Sequence, residues 1–401
     1  MTAKATERPV VSTRRVAPLL ASTAISVTGD GIFIAAAPLL AAALTRNPVA
    51  VSTVTAGFYI PWLLFGLPAG ALVDRWPRRA VMVASDLVRG CVLAGLTAAV
   101  LLHLVSVPVL VATVACVGTA QCFFDSAAQA CIPALVGRDK DKLAHVNGRF
   151  WALDTVGRGL AGPPLGSAAF AVNRALPFAA DAASFFVSAT LVRNLPHVPA
   201  AGGPHEKIRT AIRAGLHHLV ETRDLRVLAL SMGAYNFAYN ASMAIFVLYA
   251  REILGVPAAA YGVLLAVGAV GGVVAGWRAR PWTRSLSYRQ TMTAACAAQA
   301  VAWAGIAITA NVWIAGVLLA VSGAGASLSS VAVGSARQAL TPDALLGRVV
   351  SAFRLFGLGA AGLGALVGGA TASLYGLTAS LILSATVLAV AALLTWPFVR
   401  R

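Results

Sequence analysis

VAPLLASTAISVTGDGIFIAAAPLLAAAL, residues 16–44, runs for 29 residues with a single charged side chain, Asp30. A helix of about 20 mostly apolar residues spans the hydrocarbon core of a bilayer, whereas a buried helix of a water-soluble domain rarely stays apolar for so long. The run follows Arg14 and Arg15 and is longer than the apolar part of a secretory leader. With an acid near its centre, it reads as a first spanning helix rather than a cleaved leader.

The same pattern recurs along the chain. Apolar runs near 49–73, 80–102, 106–130, 150–172 and 176–194 complete one set, and runs near 227–250, 259–277, 290–309, 312–335, 349–372 and 378–397 form a second. Of 401 residues, 59% are hydrophobic and 11% charged, too few polar groups to cover a globular surface in water. The expectation is an all-α integral membrane protein of twelve transmembrane helices in two pseudo-symmetric six-helix bundles, with the lipid bilayer as its main partner.

A net charge of +17 would suggest nucleic acid in a soluble protein, but here the basic residues fall in the gaps between apolar runs. With the N-terminus inside, 25 basic residues lie in cytoplasmic segments, three in outer loops (Arg46, Arg174, Arg251) and three within helices (Arg89, Arg158, Arg354). That bias predicts a bacterial inner membrane protein with both termini cytoplasmic and no nucleic-acid partner.

The longest polar stretch, 195–226, separates an N-terminal bundle (1–194) from a C-terminal one (227–401). Within it Ile208, Ile212, Leu216, Leu219 and Val220 recur at helical spacing, which predicts an amphipathic helix lying on the membrane surface. GTAQCFFDSAAQACIPALV from 118 aligns with GAGASLSSVAVGSARQALT from 323, as expected if the halves are distant copies.

Between the second and third runs stands GALVDRWPRR, residues 70–79. A carboxylate at the C-terminal end of a helix opposes the helix dipole, so Asp74 calls for a compensating partner. The stretch resembles the signature of the major facilitator superfamily, with Pro77 where the family usually has Gly. The resemblance extends over the whole chain in helix number, charge topology and two-half organisation. It implies that Gly70 and Asp74 belong to a cytoplasmic gate motif in which Asp74 is the latch, with Arg75, Arg78 and Arg79 as its supports. The equivalent stretch of the second half, GVVAGWRARP from 272, has Gly276 in place of an acid.

Five acids and three arginines sit inside predicted helices, where each must be paired or must face a cavity. Asp86 and Arg89 are three apart and Asp154 and Arg158 four apart, so each pair can neutralise itself. Gln121, Asp125 and Gln129 form one stripe, and Asp125 is expected to pair with Arg89, Arg149 or Arg354 at a gate. Asp181 reads as structural. Asp30 has no basic neighbour in sequence and shares a stripe with Ser22 and Ser26. An acid without a partner at that depth suits proton coupling, with a satisfied structural role or direct contact with a cationic substrate as the alternatives.

Tyr235, Asn236, Tyr239 and Asn240 occupy one side of the seventh run, and Phe58, Tyr59, Trp62 and Phe65 add aromatic surface on the second. With Ser26 and Gln121 they predict a largely apolar cavity for a bulky amphipathic molecule. In the fifth run, Gly162, Pro163 and Gly166 within GRGLAGPPLG are similar to a helix-5 motif of exporter branches of the superfamily. FFDSAAQACIPALV and its surroundings resemble the branch containing enterobactin-type siderophore exporters and macrolide-efflux proteins.

No phosphate-binding loop of the ATPase type is present, and the histidines and cysteines show no metal-ligand spacing. The cysteines read as small buried hydrophobes. No cofactor and no metal are expected, nor is an enzyme. The expected function is proton-coupled export of a hydrophobic or amphipathic small molecule by a monomer. Import, passive facilitation, a non-transporting receptor or a membrane enzyme are the alternatives.

Overall fold

The computed structural model describes residues 13–73, 75–136, 140–195, 216–279 and 285–396, and every regular element among them is helical. In chain order these are α1 (Thr13–Leu44), α2 (Pro48–Val73), α3 (Arg78–Leu101), α4 (Val107–Val136), α5 (Lys140–Asp154), α6 (Gly162–Val172) and α7 (Leu176–Arg193). They are followed by α8 (Arg223–Met243), α9 (Phe246–Glu252), α10 (Ala258–Trp277), α11 (Tyr288–Ile308), α12 (Val312–Leu340), α13 (Asp343–Tyr375) and α14 (Leu377–Thr395). A π-helical segment, Thr155–Ala161, joins α5 to α6 as one crossing, and α8 with α9 makes another, giving twelve crossings among the described residues.

Nine described helices are each long and apolar enough to span a bilayer. The other three crossings fall short for local reasons. The fifth is divided by the π segment; α7 carries Asp181 and ends on Arg193; α8 carries the polar set around Tyr235 and Asn240. Such helices are tolerated in lipid when their polar faces turn toward protein.

The two sets of helices pack alike. In the first, α2 and α3 both contact α4, α3 contacts α7, and α1 contacts α6 and α7. In the second, α10 and α11 both contact α12, α11 contacts α14, and α8 contacts α13 and α14. This is one wheel of contacts repeated, as the internal alignment of α4 with α12 implies. The halves touch mainly along α2 against α13 and α6 against α10.

One end of the bundle gathers the basic residues. There Arg78 donates to the Ala130 carbonyl at 2.8 Å and Arg79 to the Leu195 carbonyl at 3.0 Å, placing cations at the C-terminal ends of α4 and α7. These two arginines therefore brace helix ends of their own half, while Arg75 is exposed. Asp74, the residue they were expected to support, lies outside the described residues, as do Ile208 and Ile212 of the connecting segment. In its described part Leu219 is buried and Leu216 and Val220 are exposed.

At the opposite end the two halves are closed. Ser167 Oγ donates to the Ala259 carbonyl across them at 2.9 Å, and a Cβ on Gly262 would collide with the Pro163 carbonyl. Gly369 of α13 likewise has no room for a side chain beside Ser52 and Pro48 of α2. Small residues let two helix backbones touch, which is how helices associate where lipid offers no hydrophobic drive. In the same region α13 turns into α14 through Gly376 alone, at φ 91°, a conformation that favours glycine. Two cysteines depart from the expected burial, since Cys91 and Cys116 lie exposed on the helix surface.

Replacing Gly262 by Leu should push α6 and α10 apart, at a cost of about 1–3 kcal/mol to this closed arrangement. Spin labels at Asn173 and Pro257, in a cysteine-free background, should report distances shifted upward relative to the parent protein. Unchanged distances would show that the contact does not hold this end shut.

Candidate functional site

The π segment is where the charged groups converge. Pro163 and Pro164 lack N–H donors, so the Gly159 and Leu160 carbonyls cannot make ordinary α-helical bonds, and the Gly162 N–H instead reaches back to the Gly157 carbonyl. Gly31 of α1 lies directly against Gly157, Gly162 and the Arg158 backbone with no space for a Cβ. That close approach brings Arg158 to Asp30. The guanidinium lies 2.8 Å from Asp30 Oδ2 and 3.0 Å from Asp154 Oδ1, one cation bridging two acids.

The expectation of an isolated Asp30 is thus corrected. Its partner is far away in sequence and arrives only because glycines on both helices remove the steric barrier. Gly29 does the same on the other side of α1, where Asp181 Oδ1 and Ser184 Oγ of α7 press against it. Ser26 is buried with its hydroxyl turned back to the Thr23 carbonyl at 3.4 Å, and it lies apart from the cavity wall.

A second polar cluster lies deeper in the first half. Arg89, fully buried, is paired with Asp86 and donates to Gln121, while Ser188 donates to Asp86 Oδ2 at 2.7 Å. Phe124 and Phe185 cover the guanidinium with ring centroids 4.5 and 4.1 Å away. Gln121 in turn donates to Asp125 at 2.8 Å, so Asp125 is linked to Arg89 through an amide rather than by direct contact. Arg354 of α13 lies near enough to act on Asp125 electrostatically and sits 4.1 Å from the Trp62 ring centroid. Arg149 is exposed and takes no part.

Between the halves is a cavity of about 1130 Å³, and a smaller one of about 230 Å³ adjoins Trp62, Gln121, Asp125, Asp154, Arg158 and Arg354. The larger cavity has a charged patch, Asp30, Asp154 and Arg158, on the first half. Most of the remaining wall is apolar or aromatic, including Phe33, Phe58, Tyr59, Tyr239 and Tyr261. On the second half its polar groups are neutral: Asn240, Ser322, Ser327 and Ser330. The Ser322 hydroxyl has no partner among the described residues.

The polar side of α8 divides between two roles. Tyr239 and Asn240 face the large cavity, and Tyr59 meets the Asn240 side chain across the two halves. Tyr235 and Asn236 lie outside the cavity wall. Tyr235 rests beside Tyr239 with centroids 5.8 Å apart, and Asn236 donates to the Met232 carbonyl at 2.9 Å. Pro163 lines the cavity, while Gly162 and Gly166 press on Gly31 and Ile32 of α1. The walls supplied by α10 and α12 were missed from sequence. Their Gly and Ser residues serve helix packing and cavity lining alike, and only the serines at 322, 327 and 330 within an apolar helix carried a signal.

Comparison with known proteins adds an independent line. Residues 11–400 match the family model described as transmembrane secretion effector. An uncharacterized MFS-type transporter of Mycobacterium tuberculosis is 34% identical over 125 residues, which are 30% of this chain and 28% of that protein. The multidrug efflux pump Tap of Mycolicibacterium fortuitum is 27% identical over 364 residues, 88% of each chain. Among solved structures, a bacterial homologue of the iron transporter ferroportin in an inward-facing state superposes with TM-score 0.77 at 18% identity, covering 97% of this chain and all of that one. A membrane bundle of two equivalent halves around a central cavity, together with these matches, places the chain in the major facilitator superfamily of transporters, within its transmembrane secretion effector family.

Proposed function

We propose that this transporter is a proton-coupled exporter of hydrophobic or amphipathic small molecules from the bacterial cytoplasm. The observation that carries the reading is the cavity between the halves. It is large enough for a drug-sized molecule, mostly apolar and aromatic, and charged on one wall only. A sugar or small ion would leave that apolar wall without a partner. Export is favoured by the likeness to Tap, whose name describes multidrug efflux.

The bias of basic residues supports an orientation with their end of the bundle, and both termini, in the cytoplasm. The contacts at Gly262, Ser167 and Gly369 then close the outer end, so the cavity belongs to an inward-facing state. Rocking the halves about α2–α13 and α6–α10 would expose the same cavity outward. Asp74, Arg75 and the glycine at 70 would latch the cytoplasmic end in that second state. Arg78 and Arg79 would keep the helices around it in register.

Asp30 is the coupling acid in this reading. In this arrangement Arg158 holds it. Movement of the π segment, or entry of substrate beside Arg158, would loosen the pair and let the carboxylate take a proton. The membrane environment makes that exchange consequential, because an ion stripped of its partner in a low-dielectric cavity must be neutralised.

Asp30→Asn should abolish gradient-driven ethidium efflux in everted vesicles while leaving ethidium binding in place; unchanged efflux would remove Asp30 from coupling. Arg158→Gln strands two acids without their cation and should destabilise the protein by about 3 kcal/mol, read as a lower unfolding temperature in detergent. Tyr239→Ala should weaken ethidium binding by about 1 kcal/mol, roughly fivefold, with little change in stability. An affinity equal to that of the parent would take Tyr239 out of the substrate contact.

A further inference from the structure

Five acids, Asp30, Asp86, Asp125, Asp154 and Asp181, lie away from the ends of the crossings, and among the described residues Asp125 and Asp181 make no ion pair. Arg158 is committed to Asp30 and Asp154 and Arg89 to Asp86 and Gln121, while Asp125 accepts from Gln121 and feels Arg158 and Arg354 without an ion pair. Asp181 on α7 pairs with none of these arginines. It is fully buried, and among the described residues its only side-chain partner is the Ser184 hydroxyl at 3.1 Å from Oδ1, and its Oδ2 has no hydrogen-bond partner. A bare carboxylate in that position would cost several kcal/mol.

The helices packed against α7 are α1, α3 and α6. The charged groups they turn toward Asp181 are Asp30 on α1, Asp86 and Arg89 on α3, and Arg158 ahead of α6. Both arginines are already engaged, and the group nearest along α1 is an acid. Asp181 Oδ1 presses on Gly29, one residue from Asp30. Two acids therefore sit on adjoining sides of one helix, with a cation in direct contact on the Asp30 side only. A negative charge on Asp30 opposes a second on Asp181.

We propose that Asp181 is a second proton-binding site of the transporter, holding a proton on Oδ2 while Asp30 is paired with Arg158. The inference rests on the proton-coupled reading above for its role in transport, but the site itself does not. The exchange is with water. Oδ2 gives up its proton to an aqueous path when the Asp30 charge is relieved, and takes one back when the Asp30–Arg158 pair re-forms. The Ser184 hydroxyl, which donates to the Asp181 carbonyl at 2.8 Å and lies beside Oδ1, orients the acid with Oδ2 free to carry the hydrogen.

Infrared spectroscopy of the protein in vesicles of phosphatidylethanolamine and phosphatidylglycerol tests the site directly. At neutral pH the parent protein should show the carbonyl stretch of a protonated carboxyl, lost in Asp181→Asn; Asp30→Asn, which removes the opposing charge, should weaken that band relative to the parent. A band that survives Asp181→Asn, or that is absent from the parent, overturns the proposal. If Asp181→Asn does not insert, Asp181→Glu carries the same test, since its carboxyl band should move rather than vanish. In transport, Asp181→Asn should lose uphill ethidium efflux and keep downhill equilibration, with Asp181→Glu restoring the uphill step. Uphill efflux at the parent rate by Asp181→Asn would refute a role in coupling. Failure of the parent to move ethidium against a gradient would instead count against the exporter reading, and the infrared result would still decide Asp181.

Discussion

Hydrocarbon cannot solvate an isolated charge, and the interior of this bundle is arranged around that constraint. Arg158 is its centre. One guanidinium bridges Asp30 of α1 and Asp154, and it is carried on a segment wound as a π helix. The proline pair after the segment removes two donors, the wider turn supplies the missing register, and glycines at 31, 157 and 162 let the helices meet. Substituting any of these small residues would separate the charges before it altered them.

From that centre polar contacts spread in two directions. Through the smaller cavity, Asp154 and Arg158 adjoin Asp125, which Gln121 links to the buried Arg89–Asp86 pair. Through α1, Asp30 adjoins Asp181 on the far side. The first half therefore holds nearly all of the buried charge, while the second contributes Arg354, serines and aromatic surface. That asymmetry gives the halves separate tasks despite their common wheel of contacts. One half carries the ion pairs, and the other supplies a neutral wall to the cavity.

Much of this was legible in the residues. Long apolar runs, the placement of arginines and the repeat of α4 in α12 required a twelve-helix membrane bundle of two like halves, because helix length and backbone satisfaction in lipid admit few other solutions. The local pairs Asp86–Arg89 and Asp154–Arg158 followed from helical spacing alone. The aromatic and amide groups of α8 were placed on one side correctly, but which of them reach the cavity was not readable. Tyr239 and Asn240 do, while Tyr235 and Asn236 turn toward their own neighbours, and a helical arc of that width does not show where a cavity ends.

The sequence by itself determined the class of molecule, the number of crossings and the inventory of buried charge, since each depends on composition and on spacing within one helix. Tertiary structure alone decided which charges meet. Asp30 and Arg158 are 128 positions apart and Gly262 lies 99 residues beyond Pro163, so no local period connects them. Their contacts depend on how closely two backbones approach, and that distance is set by the absence of side chains at a few glycines on separate helices. The same approach gave Asp30 a cation and left Asp181 beside the Ser184 hydroxyl.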